Sequence, residues 1–117
     1  MIMIMTTDEY IVSQLSSLVN GRVRALVQEV DDDYPTIIYQ RTEQETETYF
    51  REGPCIHVTF YELAVHSRSM SELLSLEVGI HSSLHRGFRL VSMEVLNDDW
   101  IEEHEVKIRL IRVGIRN

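Results

Sequence analysis

Cysteine, proline, glycine and positive charge are all scarce in this chain. Its 117 residues include one cysteine, Cys55, so no intrachain disulfide can form and no oxidising compartment is required. Two prolines and five glycines argue against a long disordered tail. Eleven Lys and Arg stand against 19 Asp and Glu, a net charge of −8. Such a surface repels phosphate backbones and disfavours high-affinity wrapping of nucleic acid. It still permits a protein that surrounds DNA without sticking to it. No apolar run approaches membrane length. The opening Met1-Ile2-Met3-Ile4-Met5 lacks a basic flank and is too short for a span or a signal-peptide core. The expectation is a protein made and folded in the cytosol, with no membrane partner.

What is present fits one domain, residues 1–117, with residues 1–5 as a short apolar extension. Hydrophobic residues make up 44% and charged residues 26%, as in ordinary globular proteins. Thr6 to Glu9 reads as a capping box, with Asp8 at the positive end of the helix dipole. Ile11, Leu15, Leu18 and Val19 then form a stripe, and Asn20-Gly21 stops the helix. Val23, Ala25 and Val27 alternate, as in a short strand. Thr36 to Thr42 is rich in β-branched and aromatic residues, as strands are. Cys55 to Leu63 alternates, so Ile56, Val58 and Phe60 share one face. Ser69 to Glu72 opens a second helix, with Leu73, Leu76, Ile80 and Leu84 on one stripe and Gly87 at its end. These two apolar sets are expected to pack together. Phe88 to Leu96 alternates again, Asn97-Asp98-Asp99 reads as a turn, and a last strand runs from about Glu105 to Val113. There Val106, Ile108 and Leu110 oppose Lys107 and Arg109. The order α-β-β-β-α-β-β predicts an α+β fold: a mainly antiparallel sheet with two helices packed on one face.

Chemistry-bearing patterns are incomplete. Glu77, His81 and His85 share a helix face, half of a zinc site. No further ligand cluster completes it, and a solvated polar face explains it better. Cys55 opens an apolar strand, where a small buried hydrophobe is commoner than a nucleophile. The serines lack a Gly-x-Ser-x-Gly elbow, and no phosphate-cradling glycine loop occurs. The expectation is no catalytic, cofactor-binding or metal site, and no enzyme.

Charge is unevenly spread. Asp31 to Glu52 carries seven acids against two arginines, while Lys107 to Asn117 carries four basic residues and no acid. Glu43, Glu45 and Glu47 repeat every second residue and lead to Tyr49 and Phe50, an apolar pair in need of cover. Residues 43–52 are therefore expected to be an extended arm that touches a neighbour. Lys107 and Arg109 of one subunit could meet such an acidic arm of the next, complementarity that sets orientation more than affinity.

From Met5 to Val113 the chain resembles the tail-completion, or tail-terminator, proteins of long-tailed bacteriophages. The matching features are the helix ending in Asn20-Gly21-Arg22-Val23, the stretch Tyr34-Pro35-Thr36-Ile37-Ile38-Tyr39-Gln40, and the strand Ile56 to Tyr61. The helix Met70 to Leu84 and two closing strands complete the pattern. The resemblance implies a virion structural protein, made in the host cytoplasm and placed at the head-proximal end of the tail. It would form a ring, commonly six-fold, ending growth of the tail tube and meeting the tube protein and the head connector or neck proteins. DNA would pass through it without specific binding. Under that reading Asp31, Asp32, Asp33, Asp98 and Asp99 are candidates for an acidic channel wall. The alternatives are a head-completion or neck protein of the same virion, or a small α+β ligand-binding domain or enzyme.

Overall fold

A computed structural model describes residues 6–26, 33–48, 55–87, 89–101 and 105–116; within it, 43–48 and 55–57 are described by backbone alone. Helix α1 (Thr7–Leu15) begins where Thr6 accepts a hydrogen bond from the Glu9 amide at 3.2 Å. A 3-10 turn, Ser16–Leu18, continues it. The chain then reverses at Asn20 (φ 51°) and Gly21 (φ +82°), the left-handed region that glycine enters without a Cβ clash. Five strands follow in one sheet: β1 (Val23–Ala25), β2 (Thr36–Thr48), β3 (Cys55–Ser67), β4 (Leu90–Ile101) and β5 (Val106–Arg116). Helix α2 (Met70–Arg86) connects β3 to β4 and is capped by Ser69, which accepts from the Glu72 amide.

The sheet order is β1-β2-β3-β5-β4. Among the described residues only β1 and β2 run parallel; every other pair is antiparallel. The expected α+β architecture is therefore present. Both helices lie on one face, and Ile11, Leu15, Val19, Leu73, Leu76, Ile80 and Leu84 bury their stripes against it. The helix stripes are those the spacing predicts, with Leu18 only partly buried.

The strand faces differ from the expectation. The helix-covered face presents Tyr61, Leu63 and Val65 of β3 and Ile111, Val113 and Ile115 of β5, with Ile37 of β2. Val58 and Phe60 stand on the opposite face, as do Ile108 and Leu110, while Arg109 reaches toward α2. The physical reason is the short link between β3 and α2. Two residues, Arg68 and Ser69, separate them, so the helix must fold back over the second half of β3.

Gly87 closes the second helix, as the sequence reading expects. It ends α2 at φ −80°, a conformation open to any residue. Its requirement is space: a Cβ there would lie 2.0 Å from the hydroxyl of Tyr10. That hydroxyl donates to the Leu84 carbonyl at 2.6 Å and satisfies a C-terminal helix acceptor. Burial raises the Tyr10 pKa, against the opposing charge of Arg89, whose guanidinium stacks over the ring.

Candidate functional site

The sheet builds three surfaces from its edges inward. The first is the long β2–β3 hairpin. A bulge at Thr42 shifts the register, after which Glu43, Glu45 and Glu47 stand opposite Phe60, Val58 and Ile56. β5 pairs with β3 only from Val58 onward, where Arg116 is its partner. Thr46–Thr48 and Cys55–His57 thus form a two-stranded ribbon beyond the end of β5. Tyr49, Phe50 and residues 51–52 lie outside the described residues.

The second surface is the charged strand pair β4–β5. Arg109 is mostly buried and holds Asp98 with two hydrogen bonds, Nε to Oδ1 at 2.7 Å and Nη2 to Oδ2 at 3.0 Å. Its Nη1 reaches Glu77 of α2 at 3.5 Å. The guanidinium thereby ties β5 to the edge strand and to the helix. The Arg109 hydrogen bond holds the Asp98 carboxyl below the usual carboxylate range, against weak desolvation. Arg112 lies over the Phe60 ring at 4.4 Å and 3.9 Å from Glu94. Lys107, half-buried, stands opposite Trp100.

Asp98 and Asp99 do not sit in a turn. Asn97, Asp98 and Asp99 are strand residues opposite Leu110, Arg109 and Ile108, and the register shift between Val95 and Asn97 absorbs the irregularity. An edge strand wetted on both faces tolerates such acids, where an inner strand would not. Asp33 is exposed ahead of β2, and its Oδ1 accepts from the Tyr34 amide. Asp31 and Asp32 lie outside the described residues. Across the fold, Asp33 stands at the β2 side of the sheet and Asp98 and Asp99 at the far β4 edge.

The third surface was missed in the sequence. Strand β4 exposes Val91, Val95, Leu96, Trp100 and Ile101, and α2 exposes Leu74 and Val78 beside it. Glu77, Val78 and His81 of α2 and Met93, Glu94 and Val95 of β4 line a groove of about 330 Å³. The missed signal is the run Leu90–Ile101 itself. It scatters apolar and acidic residues over both parities, as no inner strand with one buried face would.

His81 and His85 stack with ring centroids 5.7 Å apart, and both are exposed. Their neighbour Glu77 is turned to Arg109. Among the described residues no group of three or more His, Cys, Asp or Glu side chains converges as for a metal ion. None of the helices among them is long and apolar enough to cross a membrane. Buried polar groups are spent on the fold. Tyr61, fully buried, donates to Asp8 and accepts from Thr7 at 2.7 Å. Asp8 in turn binds Arg41 at 2.8 Å. Burial pulls the Asp8 pKa up, but Tyr61 and Arg41 together hold it below its ordinary value.

No protein-family model matches this chain, and no curated protein matches it. One solved structure similar to it comes from the virion of a native gene transfer agent particle. The identity is 10%, the TM-score is 0.49, and the match covers 92% of each chain.

Proposed function

We propose that this chain is a structural protein of a phage-like virion, forming a ring at the head-proximal end of the tail tube. The observation that carries the reading is the pair of open sheet edges. One is β4, twelve residues long and exposed through most of its length. The other is the outer side of β2, which among the described residues β1 covers only opposite Ile37–Tyr39. A long edge strand that exposes Val91, Val95, Leu96, Trp100 and Ile101 can template another chain, and its acids and bulges narrow which chain fits. Two different edges on one molecule favour a head-to-tail contact, which closes into a ring when the rotation allows. The resemblance of Met5–Val113 to tail-completion proteins supplies the virion setting.

In this reading no bond is made or broken. The ring ends tube growth by offering the tube a fitting surface on one side and the head connector or neck proteins another. Acidic residues facing the lumen, from among Asp31, Asp32 and Asp33, keep DNA from binding as it slides through, because they repel its phosphates. The test is electron microscopy of purified protein with its mass in solution, beside virions made without the chain. A ring with a central hole, and tails of uncontrolled length in its absence, are expected. A chain that stays single on finished tubes, with tails of normal length in its absence, overturns the reading.

A further inference from the structure

Strand direction and charge point to the way the copies join. With β2 taken as running up, the sheet reads β1 up, β2 up, β3 down, β5 up and β4 down. The two outermost strands therefore run in opposite directions. A second copy placed beside the first in the same orientation brings its β1 edge antiparallel to β4, the more stable pairing.

The charges agree. β4 carries Glu94, Asp98 and Asp99 and no Lys or Arg, whereas the β1 edge carries Arg22 and Arg24 and no acid between residues 22 and 26. Face matters as well as sign. The rows Arg24–Ile38–Ala64–Leu110–Asn97 and Thr36–His66–Ile108–Asp99 run across the helix-free side of the sheet. Continuing the sheet into the next copy sets Arg24 on the face that holds Glu94 and Asp99. Arg24 has a partner within its own chain, but a guanidinium with five donors can serve further acceptors. Leu26, two-thirds exposed at the end of β1, and Leu96, exposed at the bulge in β4, supply apolar surface on the two sides.

We propose that successive copies join by an antiparallel junction of β4 with the next copy's β1, guided by Arg24 against Glu94 and Asp99. This deepens the ring reading and rests on it. Charge reversal tests it, with mass read by analytical ultracentrifugation and folding checked by circular dichroism. Arg24→Glu alone and Asp99→Arg alone should each remain folded and sediment as monomers. One chain carrying both changes should regain the wild-type assembly, and so should an equimolar mixture of the two single variants. Single variants that assemble like wild type overturn the junction, as does a double variant that stays monomeric. Rings still visible by electron microscopy in either single variant would remove this junction and leave the ring function standing. A wild-type chain that is monomeric at high concentration and on finished tubes removes both.

Discussion

Gly87→Ala is a sharp test of how the two helices meet. Alanine suits the backbone, because φ is −80°. By itself the change should stabilise by about 0.4–1 kcal/mol through the unfolded chain. The surroundings reverse the sign. The new methyl would lie 2.0 Å from the Tyr10 hydroxyl and 2.6 Å from two ring carbons. Tyr10 is only 4% exposed and cannot swing into water freely. Moving it breaks the bond to the Leu84 carbonyl, leaving a buried donor unpaired at about 1–3 kcal/mol. Overpacking adds about 1–3 kcal/mol. The balance is a loss of about 1–5 kcal/mol after the entropic gain. Urea unfolding reads it as a lower midpoint with unchanged slope. In a Tyr10→Phe background the same substitution should be less harmful, because the hydroxyl contact is gone. A Gly87→Ala protein as stable as wild type would show that Tyr10 does not sit against the end of α2.

Three further outcomes follow from the packing. Leu63→Ala should destabilise by about 2–5 kcal/mol, and Phe60→Ala by clearly less, because only Leu63 faces the helices; thermal melts that rank them the other way reverse the assignment of faces. Asp8 has a lowered folded-state pKa, so its contribution is present above its unfolded value and lost as pH falls below about 4. Asp8→Asn should flatten that part of the stability profile, and an unchanged acid limb counts against the contact. Arg109→Met should speed hydrogen exchange in β4 more than in β3, with a global loss of about 1 kcal/mol; uniform exchange rates would show that Arg109 does not hold the edge.

The helices were legible in the sequence because each has one apolar stripe and a capping box. The strand faces were not, and the reason lies in particular residues. In β3 the set Val58, Phe60 gives way to Tyr61, Leu63, Val65. In β5 Ile108, Leu110 gives way to Ile111, Val113, Ile115. Each strand thus carries two apolar sets of opposite parity, joined at Phe60–Tyr61 and Leu110–Ile111. Period-two reading cannot rank them; the short link into α2 does. The acids of β4 misled for a related reason. Asn-Asp-Asp is turn chemistry in isolation, and only its place at the sheet edge makes it strand. The extended backbone of residues 43–48 was visible through its alternating acids, whereas the apolar edge of β4 emerges only when the strand order leaves it uncovered.

Doubly apolar strands have a consequence for fidelity of folding. Sliding β3 or β5 by one residue normally exchanges a greasy face for a wet one, and that penalty keeps a strand in place. Here a slide would turn Glu62 and His66 of β3, or Arg112 and Arg116 of β5, toward the helices in place of Tyr61, Leu63 and Val65 or Ile111, Val113 and Ile115, so the penalty survives over the half of each strand that the helices cover. Further groups cannot slide without loss. Tyr61 finds Thr7 and Asp8 only in this alignment, and Arg109 finds Asp98 and Glu77 only in this alignment. These few polar contacts act as locating pins: the short link and the greasy residues choose the face, and the hydrogen bonds hold the strands at that one register.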